Sequence, residues 1–206
     1  MKSNFGEEGE LQMAKDFSYA KDNQEKQRIF DIAMALMDDI GYEKMTIRRI
    51  CQEAEISTGK FYHYFCSKQE LLSFFYQKAQ EKYISDCQAN LANKDLRTQI
   101  IDFYVWYAEY VENFGIEFVS NFFTHTNPAL NMHIYNNPII QITDDLLINA
   151  IQSGYVLKQN QTVREISNDL CIIVKGIIFD WCIRHGEYSL KESVNHLLSK
   201  CIEGFF

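Results

Sequence analysis

With 206 residues, 47% of them hydrophobic and only 2 of them proline, the chain can build one sizeable core or a small head on a larger helical body. A formal charge of −8 speaks against a uniformly basic surface, and the most apolar run, residues 171–183, is too short and too interrupted by Lys175 and Asp180 to span a bilayer. The six cysteines at 51, 66, 87, 171, 182 and 201 form no C-x-x-C pair and have no histidine at zinc-ligand spacing. They are expected as reduced core thiols with no metal or cofactor, leaving Cys66 as the one candidate redox sensor.

Residues 1–24 are polar and weakly acidic, carry no apolar leader and show no periodic stripe. They are expected as a flexible polar arm on a soluble, cytoplasmic protein. From about Glu25 to Ile40, Ile29, Ile32, Ala33, Leu36, Met37 and Ile40 recur at helical spacing, with Gly41 as the C-terminal cap. Thr46 is an N-cap type, and Ile47, Ile50, Cys51 and Ala54 form the stripe of a short second helix. Ala54-Glu55-Ile56 makes a tight turn. Ser57 then caps a third helix whose inward face is Ile56, Phe61, Tyr64 and Phe65, so that Thr58, Gly59, Lys60, Tyr62 and His63 face outward. Two short helices at a steep angle are the geometry that places the second in a major groove. The charge pattern agrees. Between Lys44 and Lys68 lie Lys44, Arg48, Arg49, Lys60 and Lys68 against only Glu53 and Glu55, a basic tip on an acidic body.

The run Gly41-Tyr42, Thr46-Ile47, Ile50, Ala54, Ile56-Ser57, Gly59, Phe61-Tyr62, Tyr64-Phe65, Ser67-Lys68 and Glu70-Leu71-Leu72 resembles the N-terminal signature of the TetR/AcrR (tetracycline-repressor) family, without a gap, over about 45 residues from Arg28. Two departures stand out: Glu55 where the turn usually carries glycine, and the long extension before the first helix. The resemblance implies an all-α chain with a helix-turn-helix DNA-binding head over residues 25–70 and a helical regulatory and dimerisation body over 71–206. On the head, Thr58, Lys60 and His63 sit where base edges are reached. Thr46, Ser57, Tyr62 and Lys68 lie at helix starts or edges suited to phosphate, with Arg48 and Arg49 beside them and Gly59 on the same DNA-binding face.

Ser67-Lys68-Gln69-Glu70 reads as a capping box opening a long helix to about Leu91, the physical link from head to body. Helices are then expected at 95–113, 115–124 and 137–153. Capping boxes at Thr162 and Ser189 open two more, to about His185 and Glu203. The segment from Phe103 to Phe123 holds nine aromatic residues, more than one helical face can carry. Plain core packing accounts for many of them. The functional reading is an aromatic-walled pocket for a small lipophilic or aromatic effector, drawn from Tyr83, Phe103, Trp106, Tyr107, Tyr110, Phe122, His125 and Trp181. The last helix carries one clean apolar stripe, and the helix before it is apolar on two faces. Ile173, Ile177, Val194, Leu197, Leu198, Cys201 and Ile202 are the expected homodimer seam, as the resemblance also implies.

Catalytic constellations are poor. Cys182 and His185 lack an orienting third group, Gly59 stands alone, and Asp144-Asp145 has no histidine partner and reads as a solvated face. The expectation is a homodimeric regulator binding double-stranded operator DNA, most simply a ligand-released repressor. The alternatives are a DNA-bound adaptor of the same fold whose body binds another protein, and, more remotely, an enzyme on a helical scaffold.

Overall fold

The computed structural model describes residues 21–124, 127, 130, 137–157 and 161–206 in full, and the backbone of residues 5–20. Among the described residues all regular structure is helical. The chain divides into two compact units, 1–71 and 72–206.

The first unit holds α1 (Phe5–Lys44), α2 (Ile47–Glu53), α3 (Thr58–Tyr64) and the start of α4 (Lys68–Asp86). Gly41 breaks α1 near its end, with φ 76° and ψ 163°, the left-handed region a glycine enters without a Cβ penalty. The other end of α1 corrects the sequence reading. Residues 5–24, expected as a flexible arm, are helical, and the helix begins at Phe5, not near Glu25. Their lack of an apolar stripe hid this, although Glu, Gln, Lys and Ala are strong helix formers that need no stripe to propagate a helix already nucleated.

Ile29, Ala33 and Met37 of α1, and Ile50, Ala54, Phe61 and Phe65 further along, are each almost wholly buried, with α1 packed on α2 and α2 on α3. Thr46 and Ser57 cap α2 and α3 by accepting the backbone N–H of Arg49 and Lys60 at 3.2 and 3.1 Å. In the turn between them Glu55 has φ 53°, so it holds the left-handed conformation that glycine would take without strain. Glu55→Gly is therefore expected to raise the head's stability by about 0.5–1 kcal/mol, net of the extra chain entropy of glycine. Urea denaturation followed by circular dichroism checks this; a lower midpoint would mean that the Glu55 side chain outweighs the strain.

The second unit continues α4 and adds α5 (Gln88–Leu91), α6 (Leu96–Glu112), α7 (Ile116–Phe122), α8 (Pro138–Gln152), α9 (Val163–Ile183) and α10 (Leu190–Cys201), closed by a 3₁₀ turn, Ile202–Gly204. The long helix expected to reach Leu91 is broken at Cys87, whose φ of −126° leaves the helical region. Glu70 does return a carboxylate bond, but to the N–H of Cys66, one residue ahead of Ser67. At Thr162 the capping box is complete in both directions. Asn137 and Pro138 start α8 as cap and first residue. Helix α6 packs on α10 and α8, and α9 on α8, α10 and α7. The α6–α10 seam is tied at both ends: Lys191 Nζ to Glu109 at 2.7 Å, and Arg97 to Glu203 at 2.8 Å.

Candidate functional site

On α3 the fold presents Thr58, Gly59, Lys60, Tyr62 and His63 to solvent and turns Phe61 inward, as the spacing predicts. Ser57, Thr46, Arg48 and Arg49 are exposed beside them, and among the described residues no ion pair engages Arg48 or Arg49. Two cations behave otherwise. Lys60 Nζ lies 2.7 Å from Glu25 of α1, whose carboxylate also takes two bonds from Arg28, at 3.0 and 2.9 Å. The hydrogen bonds from Arg28 and then Lys60 hold the Glu25 carboxyl down at about 2. Lys68, expected at a phosphate, is engaged within the head. Its ammonium donates to the carbonyls of Tyr42 and Met45 at 2.9 Å each and sits 3.6 Å from the centre of the Tyr42 ring. Burial lowers its pKa, so it is a half-sunken tie between α4 and the residues after Gly41.

In the body the aromatic segment forms a ladder. Trp106 stacks on Tyr110 (5.5 Å between ring centres), Tyr110 meets Phe114 edge-on, and Phe114 and Phe118 stack, as do Phe118 and Phe122. Phe75 of α4 lies against Tyr110, Phe114, Phe118 and Phe122, and Tyr83 joins Phe103 and Trp106. Tyr83, Phe103, Tyr107 and Phe122 are buried, whereas Trp106 and Tyr110 are half-buried. Trp181 does not join the ladder. Its indole N–H donates to the Tyr188 carbonyl at 2.8 Å, and its ring lies where a Cβ on Gly186 would come, so it locks the turn between α9 and α10. His125 lies outside the described residues.

Polar groups that sequence reasoning passed over sit deep in the same body. Asp144, read as solvated, is buried and paired with Arg164 of α9 at 2.8 Å. Tyr104 shares a 3.0 Å hydrogen bond with Thr143, while Tyr76 OH, Ser167 Oγ and the second Asp144 oxygen have no hydrogen-bond partner among the described residues. Burial drives the phenols of Tyr76, Tyr104 and Tyr107 far above their usual range, and it pushes the Cys171 thiol up to about 11. The available signal was polar residues set in apolar stripes: Asp144 among isoleucines, and Ser167 between Ile166 and Leu170. An open cleft of about 750 Å³ lies elsewhere, lined by Lys94, Arg97, Gln99, Asn149 and Tyr155 among others, and takes in none of the predicted pocket residues.

Much of the expected dimer seam is already engaged within the protomer. Ile177, Val194, Leu198 and Ile202 are buried within the protomer, because α10 spends its stripe on α6 and α9. Of the predicted set, Leu197 and Cys201 are exposed and Ile173 is half-buried. The free apolar stripe is on α9: Ile172, Phe179 and Ile183, each more than half exposed, beside a groove of about 460 Å³ lined by Ile173, Gly176 and Leu197. Cys66 is exposed, and its thiol is pushed up by its hydrogen bond to Glu70, the opposite of what a reactive thiolate needs. Among the described residues no cluster of His, Cys, Asp and Glu is arranged to hold a metal, and no helix is long and apolar enough to cross a membrane.

Residues 29–73 match the sequence model of bacterial regulatory proteins of the tetR family. No curated protein matches the chain by sequence. Among solved structures, a TetR-family transcriptional regulator from Syntrophomonas wolfei superposes with a TM-score of 0.67 at 22% identity, over 87% of this chain and 95% of that one. The TetR-family repressor FadR of Thermus thermophilus, solved with lauroyl-CoA, gives 0.64 at 19% identity over 87% and 94%. FadR of Bacillus subtilis, solved with stearoyl-CoA, gives 0.62 at 19% over 84% and 96%. The tetR-family sequence pattern thus lies across the helix-turn-helix, and the fold of the chain is that of TetR-family transcriptional regulators.

Proposed function

We propose that the protein is a homodimeric repressor that leaves its operator when a small lipophilic or aromatic molecule enters the body. The observation that carries the DNA half is the outward face of α3, where Thr58, Gly59, Tyr62 and His63 stand exposed on a helix capped by Ser57. One such helix contacts too few bases for useful specificity, which favours a pair of heads. The α9 stripe of Ile172, Phe179 and Ile183 supplies a face for the second copy. The effector half rests on the half-buried edge of the ladder at Trp106 and Tyr110, and on the unsatisfied Tyr76, Asp144 and Ser167 atoms. Each of these leaves a buried polar group that a ligand could satisfy. Two relatives of this fold hold fatty acyl-CoA thioesters, so these and planar aromatic compounds are the first to try.

Duplexes selected by the protein from a random pool should be two-fold symmetric, with half-sites one helical turn or a multiple apart. His63→Ala should change base preference. Arg48→Ala and Arg49→Ala should weaken all sequences alike and lower the salt slope by about 1 each. By linkage, an effector that weakens DNA binding binds the DNA-bound dimer less well by the same factor. Release that survives Trp106→Ala and Tyr110→Ala, or release by no compound class, defeats the sensor reading and leaves the adaptor.

A further inference from the structure

The turn of α1 around residues 22–28 is pinned along α2 and α3 at four points. Tyr64 donates to Asp22 at 3.2 Å, Lys60 meets Glu25 at 2.7 Å, Lys26 lies 5.1 Å from the centre of the Phe65 ring, and Arg28 donates to the Ala54 carbonyl at 3.0 Å. Glu25 is therefore held from both sides, by Arg28 on its own helix and by Lys60 on α3. The early start of α1 makes this possible. Were Glu25 in the first turn of a helix, its carboxylate would face unpaired backbone N–H groups. With the helix running from Phe5, those groups are already bonded and the carboxylate is left for side chains. Lys60 is the cation on the outward face of α3, so this one carboxylate governs the charge that face offers to a phosphate backbone.

Resting on the DNA-binding reading above, we propose that Glu25 is a specificity-determining residue. It holds Lys60 out of indiscriminate phosphate contact, so that α3 discriminates sequences through Thr58 and His63. A free lysine supplies a phosphate contact that every sequence accepts, and a random complex, held almost entirely by phosphate contacts, takes full advantage of it. A lysine already carrying a carboxylate partner must surrender it first, at the cost of an exposed ion pair, and the anion left behind faces the DNA. A random duplex, with only phosphates to offer, forfeits that contact in full, whereas a correct duplex, whose base contacts set the register of α3, depends on it less and so loses less.

The test compares the full-length wild type with Glu25→Gln, Lys60→Ala and the double variant. Each is titrated across a salt series against a random duplex and against a duplex selected by the wild type. Glutamine keeps the acceptor oxygen for Arg28 and Lys60 and removes the charge. Glu25→Gln should bind the random duplex roughly two- to fivefold more tightly, the range of an exposed ion pair, and should steepen its salt slope by about 0.9. Affinity for the selected duplex should rise less, so the specificity ratio falls. Lys60→Ala should cost random-duplex affinity in the Glu25→Gln background and leave it nearly unchanged with Glu25 present. Thermal unfolding of the four proteins separates this from loss of the head, because a merely structural role moves the melting point without moving the salt slope. Equal effects of Lys60→Ala in both backgrounds, or an unchanged slope in Glu25→Gln, overturn the proposal while leaving DNA binding intact. Failure of the wild type to select any duplex overturns both.

Discussion

Phe179→Glu is expected to yield a soluble, folded monomer, whereas Leu198→Glu is expected to yield no stable fold at all. Both residues lie in the two helices that the pattern of the chain marks for dimerisation, but they face opposite ways. Leu198 is fully buried on the α10 stripe that covers α6, and an unpaired carboxylate there costs several kcal/mol, a large fraction of the 5–15 kcal/mol typical of a domain. Phe179 is more than half exposed in the protomer, so a charge there costs the fold little. Across a two-fold seam the same substitution places like charges opposite one another in a site emptied of water. Sedimentation velocity with circular dichroism reads both outcomes. A Phe179→Glu dimer of undiminished affinity would remove the α9 stripe from the seam, and a folded Leu198→Glu monomer would return the seam to α10.

Phe75→Ala should destabilise the body by about 3–5 kcal/mol, the cost of emptying a sealed aromatic site. Phe75 is wholly buried, and its ring lies 4.6 Å from Phe122, 5.2 Å from Phe114 and 5.5 Å from Tyr110, centre to centre. Removing it leaves a cavity that four neighbouring rings cannot all close. Urea denaturation checks the figure. A loss under about 1 kcal/mol would mean that the ladder yields readily around this point, as the wall of a binding cavity does and a close-packed core does not. Trp106→Ala should cost less, because half-burial leaves less to lose, which makes it the better probe of effector binding.

What the sequence disclosed follows the range of the interactions involved. Caps at Thr46, Ser57, Thr162 and Ser189 act over three residues, and the structure has all four. The inward turn of Phe61 and the left-handed Glu55 are equally local. The all-α class followed from helical stripes and from scarce proline. Errors arose where a residue's fate depends on a distant partner. Lys68 turns inward because carbonyls at Tyr42 and Met45 await it, and Asp144 is buried because Arg164 arrives 20 residues later. Periodicity shows that α9 has two apolar faces, but which one the protomer covers depends on where α8 and α10 pack. The extension before Glu25 propagates a helix without burying a stripe, so it left no periodic trace, and Cys87 breaks a helix that no glycine or proline marks.

The two tryptophans give the molecule a pair of built-in optical reporters with separate loyalties. Trp181, its N–H bonded within the α9–α10 turn, emits from a fixed apolar setting beside the candidate subunit seam. Trp106, half-buried and stacked on Tyr110, emits from the open edge of the ladder, where a bound aromatic compound would quench or shift it. Light absorbed by the many tyrosines drains to whichever indole is nearest. A change in emission colour that is lost with Trp106 and kept with Trp181 therefore belongs to the ladder, and the reverse belongs to the turn, with no label attached to the protein.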